Sequence, residues 1–157
     1  MTASQQFCTF VLQDQFFGVP VQQVQEVIRY QEMTRVPLVS DVVSGLINLR
    51  GQIVTAIDLR RCLGMVDREP SHLPMNVVVR TGDGPVSLLV DDIGDVIEVS
   101  ADSYESTPQN MPDRQKDLVE GVYKLEGRLL LVLSIGRTLA AEGDQENSLA
   151  QVAGKEV

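Results

Sequence analysis

The chain has 157 residues, 43% hydrophobic and 22% charged, enough for one domain, or two small and intimately packed subdomains, with a real core. That apolar content excludes a disordered chain. The net charge of −9, from 13 basic and 22 acidic residues with no Lys/Arg-rich run, argues against nucleic acid and anionic membrane surfaces as partners.

Taken in order, the chain reads mainly as short strands. The N-terminus "MTASQQFCTFVLQD" has no basic segment leading into a long apolar core, so it does not read as a secretion signal. No apolar run approaches the roughly 18 residues that span a bilayer, and a soluble cytoplasmic protein without membrane insertion is expected. "FCTFVL" (Phe7–Leu12) alternates as a strand, and "QDQ" turns it into "FFGVPV". "VQQVQEVI" (Val21–Ile28) places Val21, Val24 and Ile28 at helical spacing, with strand as the alternative for Val27–Ile28. In "VPLVSDVVSG", Pro37 breaks regular structure, Ser40 is placed to cap one helical turn, and Gly45 to end it. "LINL" and "IVTAIDL" are strands around Arg50-Gly51, and "RRCLG" is a short helix stopped by Gly64.

Met65–Pro74 is a polar, Pro-containing link. "MNVVVRT" and "VSLLVDD" then form a hairpin about the "GDGP" turn, and "DVIEVS" is a further strand. Ala101–Asp117 reads as a polar loop. "LVEGVYKL" and "RLLLVLSI" flank Glu126-Gly127, "GRTLA" is a helical fragment, and residues 141–157 form a charged tail expected to be mobile. Such closely spaced strands indicate a mostly-β barrel or sandwich. Aromatics are only 4% and Trp is absent, so Val, Leu and Ile fill the interior. Cys8 and Cys62, far apart and without CxxC pairing, read as small buried hydrophobes in a reducing compartment.

An internal repeat organises these elements. Gly45–Gly64 aligns with Gly121–Ala140, with Gly45/Gly121, Leu49/Leu125, Gly51/Gly127, Arg61/Arg137 and Leu63/Leu139 identical. Val21–Ile28 aligns with Val90–Ile97, pairing Val24 with Ile93 and Glu26 with Asp95. Two such units are each too small to hold a large core, so they should pack together and leave a groove between them. Shared positions serve the fold, and differing ones are free to specialise. Arg50 faces Glu126, Asn48 faces Lys124, and Asp58 faces Ser134.

Arg50 is either a solvated hairpin-tip charge or an interaction site. Asp58 reads as the cap of the following helix, with catalysis the lesser alternative. His72, the one histidine, reads as a surface loop residue. The carboxylates of "VDDIGDV" suggest either acid/base or metal chemistry, or a solvated acidic turn. The turn is favoured because "VQQVQEV" holds the equivalent place. With no second His, CxxC or Gly-rich phosphate loop, neither a catalytic nor a metal or cofactor site is expected.

"VQEVIRY", "TRVP", "SGLINLRGQIVTAIDLRRCLG", "LLVDDIGDVIEV" and "LVEGVYKLEGRLLLVLSI", in this order between about Gln6 and Ala140, resemble the CheW family of bacterial chemotaxis coupling proteins. The resemblance implies two intertwined five-stranded SH3-like β-barrels sharing a core. It implies one CheW-like domain over residues 1–140, its halves meeting near residues 65–74, with a flexible tail over 141–157. It also implies a non-catalytic adaptor, coupling the cytoplasmic hairpin tip of a chemoreceptor to the regulatory domain of a CheA-type histidine kinase in membrane-associated arrays. Output to surface motility or a second messenger is the alternative pathway. Receptor contacts would fall on Val24, Glu26, Gly45, Asn48, Leu49, Arg50 and Val96. Val24, Leu49 and Val96 would offer an apolar groove, and Arg50 would fix the register of a docked helix. Kinase contacts would fall near Met33, Thr34, Arg35 and Val36 and around Gly121. On this reading Arg50→Glu should keep the fold, because Glu126 occupies the equivalent place, and should weaken receptor coupling.

Overall fold

"FFGVPV", "NVVV" and "SLLV" are apolar at nearly every position, a pattern that strands carry when both of their faces are covered. The computed structural model, which describes residues 4–37 and 40–140, shows how that is achieved. In the first half, β1 (Ser4–Leu12) and β2 (Gln15–Pro20) form a hairpin. A 3-10 turn at Val21–Gln23 leads into β3 (Val24–Ile28), and β4 (Val43–Leu49), β5 (Gln52–Asp58) and α1 (Leu59–Cys62) follow. The second half opens with the hairpin β6 (Met75–Thr81) and β7 (Gly84–Val90), then β8 (Asp92–Ser100) and the two-residue β9 (Tyr104–Glu105). It ends with α2 (Asp113–Leu118), β10 (Val119–Leu125), β11 (Arg128–Leu133) and helical residues 135–140.

Each half lends its opening hairpin to the sheet of the other. The strand orders are β8-β1-β2-β11-β10-β9 and β3-β6-β7-β5-β4. In both sheets the lent hairpin runs antiparallel to a resident edge strand, β1 on β8 and β6 on β3. Its other strand runs parallel to a resident inner strand, β2 on β11 and β7 on β5. The expected mostly-β pair of intertwined SH3-like barrels is what forms. One sheet gains a sixth strand, β9, whose counterpart in the other half is the single bridge between Thr34 and Leu46.

The lent hairpins are buried on both faces. Phe10, Leu12, Phe17, Val19, Val77, Val79, Leu88 and Val90 point into a shared central core with Leu59, Leu131 and Leu133. Val78 and Leu89 face the other way, into a barrel interior with Ile47, Leu49, Val54 and Ala56. Phe7 and Phe16 do the same in the second barrel, with Val99, Leu130 and Val132. Each such side chain contributes about 1.5–3 kcal/mol by leaving water, so the exchange of hairpins dominates the stability of the fold.

Three segments differ from the sequence expectations. Val24–Ile28 is strand, not helix, because β6 offers it a pairing partner that outweighs a weak helical spacing. Ser40 caps a turn, not a helix: its Oγ accepts the Val42 amide at 3.3 Å, and Gly45 lies inside β4. The 101–117 loop contains α2, entered from Pro112 and turning Gln115 and Leu118 inward. The tail over 141–157 and residues 38–39 lie outside the described residues.

The halves are also joined by a buried knot of charges around Asp91. Its carboxylate accepts from Arg60 Nε at 2.8 Å, from Arg60 Nη2, from Arg68 Nε at 2.8 Å and from the Gln13 amide at 2.8 Å. Asp58 Oδ1 caps α1 through the Arg60 amide at 3.0 Å, as expected, and also faces Arg68 Nη2 at 3.5 Å. Asp91 is therefore not a solvated turn residue, which corrects the reading of "VDDIGDV" at that position, whereas Asp92 and Asp95 are exposed. The side chains of Asp91 and Arg68 are each only 7% exposed. Burial opposes ionisation of Asp91, but the bonds from Arg60, the Gln13 amide and Arg68 outweigh it and hold the carboxyl down to about 2. His72 is exposed, and its Nε2 lies 3.1 Å from the Asp91 carbonyl oxygen.

Because the folded value lies below that of an unfolded aspartate, Asp91 stabilises the fold fully above about pH 5 and ceases to do so as the pH falls through about 2. The loss is on the order of 2–3 kcal/mol. Urea unfolding between those pH values should show it. Asp91→Asn, which leaves Arg60 and Arg68 with Asp58 as their remaining nearby counter-charge in the knot, should be less stable by about 3 kcal/mol at neutral pH and have a correspondingly flatter acid limb. An unchanged acid limb would remove Asp91 from this role.

Candidate functional site

The β4–β5 hairpin closes with Leu49 opposite Gln52, leaving Arg50 and Gly51 as a two-residue loop. Both central residues have positive φ, 53° and 88°, the type I′ pattern whose twist suits a hairpin. Gly51 adopts this freely. Arg50 does not, since a side chain beyond Asn or Gly is disfavoured in the left-handed region. Asn48 helps to hold the turn, its Oδ1 accepting the Gly51 amide at 2.9 Å. Arg50 then reaches β3, where Nη2 pairs with Glu26 Oε2. The arginine side chain remains 68% exposed and the glutamate 22%.

The second hairpin repeats the spacing but not the conformation. Leu125 opposes Arg128 across Glu126-Gly127, and only Gly127 has positive φ, 81°. Arg50 and Glu126 are therefore equivalent in sequence and not in backbone. This corrects the expectation for Arg50→Glu: a glutamate there would take a left-handed conformation that Glu126 never adopts, beside the carboxylate of Glu26.

Glu26, Asn48 and Arg50 thus come together at one tip. Leu49 is buried in the first barrel interior and presents no free apolar face, and Val24 is partly buried against the shared core. Val96 stands 57% exposed on β8, the edge strand of the other sheet. The apolar residue beside the tip is Ile53, the cross-strand partner of Asn48, at 61% exposure. Leu129 holds the matching place in the repeat and is also exposed, so a repeated aliphatic is not always a buried one.

Gly45 is buried beneath the 33–34 segment. A Cβ there would stand 2.6 Å from the Thr34 carbonyl oxygen, and Thr34 and Leu46 exchange main-chain bonds of 2.8 Å. The segment expected to meet the kinase therefore covers a glycine expected to meet the receptor. Met33, Arg35 and Val36 line an open groove of about 740 Å³ that also includes Tyr30, Asp41 and Arg61. Gly121 occupies the equivalent place in the second half, beneath the Tyr104 ring, which makes an edge contact with Tyr123 at 5.5 Å. A second groove of about 610 Å³ runs between the β1–β2 turn, residues 108–112 and β11, with the Arg128 guanidinium stacked 3.7 Å above the Phe16 ring.

Among the described residues, no group of three or more His, Cys, Asp or Glu is placed to hold a metal ion, and no helix is long and apolar enough to cross a membrane. Cys8 and Cys62 pack at the margin of the shared core, and burial pushes the Cys8 thiol up.

Interlocked sheets and an asymmetric hairpin tip define the class: a paired SH3-like β-barrel protein. Residues 6–143 match the CheW-like domain, and the chain belongs to the CheW family. It is similar to the chemotaxis protein CheW of Bacillus subtilis, 31% identical over 136 residues that cover 87% of each chain. It is 30% identical over 133 residues to the chemotaxis protein CheW of Rhizobium meliloti, covering 85% of this chain and 86% of that one. Among solved structures it is similar to the scaffolding protein TtCheW from Thermoanaerobacter tengcongensis, with a TM-score of 0.75 and 25% identity over 85% of this chain and 90% of that chain.

Asparagine tolerates the left-handed region and Asn-Gly is a preferred type I′ pair, whereas an exposed ion pair contributes about 0–1 kcal/mol. Arg50→Asn should therefore stay within about 1 kcal/mol of the wild type in urea unfolding. A loss above about 2 kcal/mol would make Arg50 a structural residue.

Proposed function

We propose that this chain is a non-catalytic cytoplasmic adaptor that couples the cytoplasmic hairpin tips of chemoreceptors to a CheA-type histidine kinase in membrane-associated arrays. Membership of the CheW family supports the scaffold role, as do relatives named as chemotaxis proteins and a structural neighbour named as a scaffolding protein. One observation carries the assignment of the receptor side. The chain keeps an arginine in the left-handed conformation at Arg50, where asparagine or glycine fits better, and leaves it mostly exposed. Local strain of this kind, without a matching gain in stability, points to a partner.

In this reading Arg50 presents its free N–H groups to a carboxylate or carbonyl of a receptor helix, with Glu26 setting its direction and Ile53 supplying apolar contact. Val24, Leu49 and Gly45 act from beneath, fixing β3 and β4. Val96 marks a contact on the other sheet. The kinase domain meets the Met33–Val36 segment and the neighbourhood of Gly121.

The test is receptor-dependent kinase activation reconstituted with purified components. Arg50→Asn should fold normally and reduce coupling roughly tenfold, the loss of one charge-assisted contact of about 1.4 kcal/mol. Glu126→Gln, at the matching tip of the second half, should couple as the wild type does. Normal coupling by a folded Arg50→Asn chain would exclude the proposed role of Arg50.

A further inference from the structure

The link at residues 65–74 is all that makes the pairing of the two halves intramolecular. The contacts of β1 on β8, β2 on β11, β3 on β6 and β5 on β7 each join strands on opposite sides of it. The link forms no helix or strand, contains Pro70 and Pro74, and exposes Val66 and Leu73. Polar bonds hold it down: Arg68 to Asp91 and Asp58, His72 to the Asp91 carbonyl, and the Val66 carbonyl to Arg60 Nη1.

We propose that residues 65–74 are a hinge through which two copies of this chain exchange halves, the first half of each copy completing the barrels of the other. Arg68 and His72 are the latch that favours the monomer. In the exchanged dimer every sheet contact and the shared core recur, and so does the Arg60–Asp91 pair, because each copy supplies one member from each half. The link must then run between two bodies, so Arg68 can no longer lie folded back between Asp58 and Asp91. The latch is thus specific to the closed form, and the balance between the forms depends on concentration.

Gln6 and Glu98 are cross-strand partners in the β1–β8 pairing and lie on opposite sides of the hinge. Full-length chains carrying either Gln6→Cys or Glu98→Cys, differently tagged, are unfolded together, refolded over a range of concentrations and mildly oxidised. An exchanged dimer places the two introduced thiols opposite each other and yields a disulfide-linked heterodimer, whereas closed monomers keep them on separate molecules. The wild-type chain, with its native Cys8 and Cys62, is the control. The cross-linked fraction should rise with protein concentration, and Arg68→Ala in both chains should shift the dimer–monomer balance about tenfold towards dimer. Absence of the heterodimer at every concentration, or a dimer that does not cross-link at this pair, would overturn the proposal. If Arg68→Ala fails to refold, the concentration series in the otherwise native background decides alone.

Discussion

A hairpin that is apolar on both faces cannot rest on the outside of its own half. The sequences of β1–β2 and β6–β7 impose that constraint, and the rest of the architecture follows from it. Each hairpin must sit between two layers. The arrangement that does so for both at once places them back to back, each closing the other half's barrel. The parallel contacts of β2 with β11 and of β7 with β5 mark where the visiting hairpin meets its host. Neither half has a complete sheet alone, so the two are one cooperative unit.

This frame is nearly symmetric, and its edges are not. Asp91 gathers Arg60, Arg68 and the Gln13 amide, whereas Gln22 holds the matching place in the first half. Asp58 and Ser134 both cap the helices that follow them, through the amides of Arg60 and Arg137, but only Asp58 also faces the knot. The hairpin tips diverge in the same way, one left-handed at Arg50 and the other not at Glu126. Magnitudes separate the roles. Each buried Leu or Val beneath the tip is worth about 1.5–3 kcal/mol, against about 0–1 for the exposed Arg50–Glu26 pair. The frame would stand without Arg50.

Much of this was legible in the sequence because strand alternation, turn glycines and the repeat are local or pairwise signals. The repeat disclosed two units, the hairpin at Arg50-Gly51 and the cap at Asp58. It could not disclose which sheet each hairpin joins, although unbroken apolar runs such as "NVVV" carry the trace of double burial. The Asp91 knot was hidden because its partners lie 23, 31 and 78 residues away, and an aspartate beside Asp92 looks like any acidic turn. The conformation of Arg50 was hidden by the repeat itself, since Glu126-Gly127 has the same spacing and a different turn. Burial misled at Leu49, which stands beside the tip in sequence yet points into the first barrel's core, and Val24 is partly buried against the shared core. A six-residue helix with two inward positions, α2, is too short for periodicity to declare.

The proposed picture is of a nearly symmetric, interlocked body on which one tip serves recognition. Titrating a receptor hairpin-tip fragment into the isotopically labelled protein, with the amide signals followed by NMR, addresses that claim most directly. The account predicts that the largest shifts fall on β3 around Glu26 and on residues 48–53, with residues 124–129 unmoved. Equal shifts at both tips, or shifts confined to the second, would contradict it.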